Sequence, residues 1–285
     1  MTDQGVYAAL NRDKAAIKEG VRAHWEAEPC ESRAGRGAST REGFFRAIDA
    51  YRYEKSPFIG GFAKFEQSRG QKVLEVGLGS GSDFVRFARN GALLWGVDLT
   101  EASVKLINER LAMDGLKADV RVGDVEALDF GDEFFDIVYS YGAINLTPDT
   151  PAAVHELYRV LKRGGVARIM IFHVGGLAWY YQWILFGLLK GHPGRSLREI
   201  AFYHNESIGT KLYSRSEARE LFAPFRSVSI HTVVDSGDTL DIQLSDRYRK
   251  VWLIRNIQKF APVLRAARPC IPSRFGSTML IEAVK

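Results

Sequence analysis

The chain has 285 residues, 46% apolar and 26% charged, which suits one elaborated globular domain, or a domain with a lid, and an ample core. Its two isolated cysteines, Cys30 and Cys270, exclude a disulfide framework and a cysteine-based zinc site, and no metal site is expected. The opening Met1–Gly5 stretch has neither the basic nor the apolar segment of a secretory leader, so a cytoplasmic location is expected. The net charge of +5 is uneven: nine basic residues and one acid fall between Arg247 and Lys285, leaving the rest slightly acidic. Such a basic tail suits a solvated face, an anionic substrate, a membrane surface or nucleic acid.

Val6, Leu10, Ile17, Val21 and Trp25 recur at helical spacing and predict an amphipathic N-terminal helix ending near Pro29. Residues 31–43 are polar and rich in Gly and Ser, and read as a mobile connector. A second helix is expected over 44–53, broken before Pro57, and a third carries Phe58, Ile59, Phe62 and Phe65 along one face. A strand at Val73–Val76 then runs into Gly77, Gly79 and Gly81, with a helix following from Phe84. Such a strand, glycine turn and helix N-terminus cradle a charged cofactor, because glycine lets a ligand press on the backbone and the first helical N–H groups favour an anion. The dinucleotide spacing G-x-G-x-x-G would need a third glycine where Ser82 stands; the spacing here is G-x-G-x-G, with Glu75 two residues ahead of it. Leu93–Asp98 is a second strand ending in an acid, placed to accept hydrogen bonds from ribose hydroxyls. A third strand closes at Gly123–Glu126 and a fourth spans Phe134–Ser140. A helix over Glu156–Gly165 ends in a glycine stop, and a fifth strand follows over Val166–Phe172.

The acid and glycines of 75–81, Asp98, the Gly123–Asp124 pair and the run Leu161-Lys162-Arg163-Gly164-Gly165 occur in order over about residues 70–173. In that order and spacing they resemble the class I S-adenosylmethionine (SAM)-dependent methyltransferases, with Arg163 where the family commonly has proline. The resemblance implies an α/β fold: a Rossmann-like, seven-stranded, mostly parallel sheet with helices on both faces and the last strand antiparallel between the fifth and sixth. It implies SAM as cofactor and S-adenosylhomocysteine as product. Gly77, Gly79 and Gly81 would admit the methionine portion, Glu75 would hold the loop or the amino group, Asp98 with Leu99 the ribose, and Asp124 with Val125 the adenine. Ser140 is added to the cofactor set, since it follows the fourth strand at the switch point of the sheet. The stretches His24–Cys30, Tyr51–Tyr53 and Tyr139–Gly142 look like a bacterial small-molecule subgroup. That subgroup often carries His-His-Thr-Pro-Asp-Thr after the fourth strand; here Asn145 and Leu146 replace both histidines, so a basic role for them does not transfer.

Around the core the expected organisation is an N-terminal helical cap over 1–69, the cofactor core over 70–173, a hydrophobic lid insertion over 174–224, and C-terminal strands over 225–285 with a basic helical insertion at 235–276. The stretch 175–189 has no charge and would span about 22 Å as a helix, too short to cross a bilayer. It leaves three readings open: a buried lid, a subunit interface in a homodimer, or a helix in peripheral contact with a membrane. Ser214–Glu217 fits a capping box opening a helix to Phe222; Phe225–Val234 and Thr278–Val284 read as strands, with a helix carrying Val251, Ile254, Ile257 and Phe260 between them.

Methyl transfer from a sulfonium needs an aligned acceptor atom and, where that atom carries a proton, a base. His173, ending the fifth strand, is the first candidate base, with Tyr141 and Tyr53 as further catalytic candidates and Tyr51 and His204 behind them. The function expected is methylation of a small apolar or aromatic metabolite, with an anionic group suggested by the basic tail and oxygen as the favoured acceptor. Two other readings stand beside it: a nucleic-acid methyltransferase, although the N/D-P-P-Y/F signature for exocyclic amines is absent, and a non-catalytic SAM-binding or membrane-associated protein.

Overall fold

The run Ile137–Tyr139 is continuously apolar and Val73–Val76 is broken only by Glu75, neither alternating, the pattern of strands covered on both faces. In the computed structural model, which describes Tyr7, Leu10, residues 13–240, Asn256 and residues 258–285, they form the centre of one sheet. Its strands are β1 (Lys72–Val76), β2 (Leu93–Asp98), β3 (Asp119–Val122), β4 (Phe135–Tyr141), β5 (Leu161–His173), β6 (Leu212–Tyr213), β7 (Ser227–Val233) and β8 (Thr278–Val284). The order is β3-β2-β1-β4-β5-β8-β7, with β6 pairing β5. β1 to β6 pair in parallel, whereas β8 runs antiparallel to both β5 and β7. Successive side chains point to opposite faces. Val73, Ile137 and Tyr139 therefore pack into one core with Phe84, Phe87 and Ile107, while Leu74, Val76 and Val138 join Val154, Leu157 and Ile169 in the other.

The helices are α1 (Lys14–Ala27), α2 (Arg41–Lys55), α3 (Ile59–Ala63), α4 (Ser82–Arg89), α5 (Glu101–Met113), α6 (Thr150–Val160), α7 (Leu177–Phe186), α8 (Leu197–His204), α9 (Arg215–Leu221) and α10 (Ala261–Ala267). Caps fix many of their starts. The side chains of Thr40, Thr100 and Asp149 accept from the first turns of α2, α5 and α6, and Ser214 with Glu217 forms the anticipated capping box of α9.

Several boundaries differ from the sequence expectation. The helix expected to stop at Gly164–Gly165 ends at Val160, and β5 takes up Leu161 onward. Leu161 is buried and pairs with Phe135, so burial extends the strand through the glycines, and Gly164, at φ +77°, marks an irregularity within it. β6 was not foreseen: two residues show no periodicity, and pairing to the end of β5 alone defines them. The stretch 31–43 contains a 3₁₀ turn, Ser32–Gly35, packed on α2 and tied to α1 by Arg33 and Arg36, which both pair with Glu28. The third helix shrinks to the five residues of α3, after which Lys64 turns left-handed. Val6 and the positions Val251, Ile254 and Ile257 lie outside the described residues.

Candidate functional site

The strand order reverses between β1 and β4, which opens a crevice at the carboxyl edge of the sheet. The loop from β1 to α4 lines it. Gly77 and Gly79 sit at φ +75° and +53°, in the left-handed region that glycine adopts without strain. A Cβ on Gly77 would lie 2.1 Å from that of Ala143, so the loop presents bare main chain because the next segment leaves no room for a side chain. Gly81, also at positive φ, backs onto Ile107 of α5. The cavity above has about 870 Å³ free of protein atoms, part of it open to solvent. Of the residues singled out from the sequence, Gly77, Gly79, Asp98, Leu99, Asp124, Val125 and Tyr141 line it.

Asp98 is buried, and burial raises its carboxyl above the usual value against the pull of its hydrogen bonds. One oxygen accepts from Leu78 N at 2.7 Å and Gly79 N at 3.3 Å, the other from Thr100 N at 2.9 Å and Thr100 Oγ1 at 2.7 Å. The carboxylate's four acceptor positions are thus engaged, and Asp98 clamps the glycine loop to the end of β2. Asp124 accepts from Glu126 N and pairs with Lys18 of α1, which also reaches Glu126 at 2.6 Å. Helix α1 is held from its other end too: Glu26 accepts from Glu101 N and Ala102 N at the start of α5. Lys18, Val21 and Trp25 therefore roof the cavity floored by the glycines, and Trp25 Nε1 is buried there without a partner. Their i, i+3, i+7 spacing, a helix face that was visible in the sequence, is the signal that could have found Lys18.

Glu75 lies buried below the loop, outside the cavity lining, with Oε2 unpartnered; burial, reinforced by the charge of Asp83, pushes its carboxyl well up. Asp83 takes the Arg52 guanidinium and the hydroxyls of Tyr139 (2.7 Å) and Tyr53 (3.1 Å). Burial opposes its ionisation, but these partners prevail and hold the carboxyl below its usual value. Tyr53, expected as a catalytic candidate, thus belongs to a buried network behind the loop and does not line the cavity. Tyr141 does line it, its ring 4.7 Å under the Arg52 guanidinium; burial drives its hydroxyl well above the usual range, so it suits donating a hydrogen bond better than accepting a proton as a base.

His173, the expected base, is also absent from the cavity. Its Nδ1 lies 2.9 Å from the Gly276 carbonyl, its own carbonyl accepts from Trp179 Nε1, and burial lowers its pKa. The antiparallel entry of β8 beside β5 causes this, because it brings Gly276 over the strand end. Ser140 is fully buried, its Oγ unpartnered, and does not face the cavity. Tyr51 stands beside Lys55, and His204 stacks on Phe186 at 4.7 Å; neither lines the cavity. Sequence reasoning missed Asn145, fully buried with both amide atoms unpartnered beside the lining residue Leu146, and Lys211, which donates to the Thr147 carbonyl. Burial lowers Lys211 to about 8.

Residues 74–169, which contain the glycine loop, Asp98, Asp124 and Tyr141, match the family model described as a methyltransferase domain. In this stretch the chain is similar to the class I SAM-dependent methyltransferases. Among curated relatives, the ubiquinone/menaquinone biosynthesis C-methyltransferase UbiE of Xanthomonas campestris is 37% identical over 118 residues, 39% of this chain and 46% of that one. A sterol 24-C-methyltransferase of Aspergillus fumigatus is 29% identical over 220 residues, 64% of this chain and 55% of that one. The chain thus spans about half the length of the curated relatives it matches. Among solved structures, geranyl diphosphate C-methyltransferase from Streptomyces coelicolor, in complex with Mg2+, geranyl diphosphate and S-adenosylhomocysteine, shares the fold. Its TM-score is 0.56 at 19% identity, covering 94% of this chain and 97% of that one.

Proposed function

We propose that the protein is a SAM-dependent methyltransferase acting on a small, largely apolar metabolite. The observation that carries this reading is the bare backbone of Gly77 and Gly79 facing an apolar cavity bounded by Asp98 and Asp124. The residues fit the cofactor. Gly77 and Gly79 would admit its methionine portion, with Glu75 behind them. The end of β2 (Asp98 and Leu99) would take the ribose, with the long 3.3 Å bond from Gly79 N the easiest to give up, and Asp124 with Val125 would take the adenine. When bound, SAM supplies a methyl group on a sulfonium that is already charged for departure. What the chain itself adds is position and dryness: Val21, Trp25 and Leu146 exclude water from above, and Tyr141 walls the cavity beside Gly142 and Ala143.

No histidine is among the residues lining this cavity, so the acceptor must attack without help from His173. Carbon is nevertheless preferred to the oxygen expected from the sequence, on the strength of relatives named as C-methyltransferases, and the proton such a carbon loses after methylation would pass to water or to a carboxylate of the cavity such as Asp124. An apolar acceptor agrees with the lining. Calorimetric titration tests the cofactor first: S-adenosylhomocysteine is expected to bind and NADH not, and the reverse result overturns the reading. With an isotopically labelled methyl donor, NMR of the product then tells a carbon-bound from an oxygen-bound methyl, and His173→Gln is expected to change the transfer rate by less than about threefold. A loss of a hundredfold or more would return His173 to the site.

A further inference from the structure

Helix α7 is apolar on nearly every side, and such a helix is ordinarily buried. Here only Trp179 is. Tyr180 and Ile184, with Leu188 and Leu189 of the following 3₁₀ turn, are between 42% and 56% exposed, and the spacing 180, 184, 188 makes one stripe. Tyr203 extends the patch from α8, which packs on α7. From Gly175 to Arg198 there is no acid, while Lys190, His192 and Arg195 stand exposed at the end of the stripe.

The described residues of the basic tail repeat the pattern. Phe260 and Val263 are 65% and 67% exposed, Lys259 and Arg274 belong to the same segment, which has no acid between residues 258 and 281, and Arg265 turns to Glu54 of α2. Both α7 and α10 rest on the turn Ser236–Thr239, and the backbone at Arg274 passes against Gly175 just ahead of α7. The two segments therefore adjoin each other around that turn, beyond the carboxyl edge of the sheet.

We infer that this side, α7 with residues 188–190 and the segment 259–275, docks into the headgroup layer of an anionic lipid bilayer. The chemistry selects that occupant. Exposed Leu, Ile and Phe partition into the acyl boundary, the Tyr hydroxyls suit the headgroups, and segments that carry cations and no acid of their own draw anionic lipid. A second copy docked by the same face would instead set one cationic surface against another, where like charges repel. Among the described residues no helix is long and apolar enough to cross a membrane, so the contact is peripheral.

Sedimentation of the full chain with vesicles of phosphatidylcholine and phosphatidylglycerol tests this, against vesicles of phosphatidylcholine alone. Partitioning is expected to be at least tenfold stronger on the anionic vesicles and to fall with salt. The pair Ile184→Asp/Leu188→Asp should lower it at least tenfold while S-adenosylhomocysteine binding stays intact. If that pair loses S-adenosylhomocysteine binding, Lys190→Glu/Arg195→Glu replaces it with the same expectation. The inference is overturned if the unmodified chain ignores anionic vesicles, or if a variant that binds S-adenosylhomocysteine normally partitions like the parent. A concentration-dependent dimer in light scattering that the same substitutions dissolve also overturns it. Because sedimentation reads lipid and calorimetry reads cofactor, a failure of one leaves the other standing.

Discussion

The floor and the roof of the cavity are built by different means. The floor is main chain: glycines at positive φ, held by Asp98 through backbone N–H groups, with no space for a Cβ at Gly77. The roof is side chains: Lys18 reaching Asp124 and Glu126, Glu26 capping α5, Lys211 holding the Thr147 carbonyl. Main-chain geometry has few alternatives, so it leaves a fixed residue pattern. A roof held by ion pairs can be built from many residues and can open, as any cavity that takes up a nucleoside must.

The sharpest way to break this contrast is at the floor. Gly77→Val is expected to destabilise the fold by about 3 kcal/mol or more in denaturant unfolding, because it adds left-handed strain to a clash with Ala143. It should also abolish S-adenosylhomocysteine binding; near-parental stability would show that the loop has another conformation. The next effect is in the roof and depends on pH. Burial holds the folded Lys211 at about 8, against 10.5 for the unfolded chain, so the unfolded state binds more protons between those values. Stability from this group is therefore fully present above pH 10.5 and lost as pH falls through 8, a swing of about 3 kcal/mol. Lys211→Met should lack that swing, so the difference in unfolding free energy between parent and variant should move toward the parent as pH rises from 8 to 10.5. A difference that stays flat would place the amine in water. The smallest effect is expected for Lys18→Met. Its pairs are a quarter exposed or less on the lysine side, so stability should change by no more than about 1 kcal/mol, whereas S-adenosylhomocysteine should dissociate several-fold faster in stopped flow. An unchanged dissociation rate would show that α1 does not hold the cavity shut.

Much of the floor was legible because each of its elements carries a local signal. Gly77, Gly79 and the acids ending β2 and following β3 line one cavity, and the last strand enters antiparallel between β5 and β7 as the sequence led one to expect. Tyr53 and His173 misled for one reason: a titratable side chain near a sheet edge looks catalytic until its partners are known. Asp83 claims Tyr53 across some thirty residues of chain and Gly276 claims His173 across about a hundred. Lys211 stayed hidden for the converse reason, since it interrupts no pattern, and Asn145 was noticed only as a replaced histidine; packing alone buries both.

By itself the sequence determined the doubly covered sheet, the glycine cradle and the methyltransferase-like motif order, because strand patterning, turn geometry and caps are properties of neighbours along the chain. Tertiary structure alone decided which helix roofs the cavity, that α7 lies exposed, and that His173 turns to a carbonyl away from the cavity. Those outcomes depend on contacts between residues far apart in the chain, whose free energies are settled only when the whole fold brings them together.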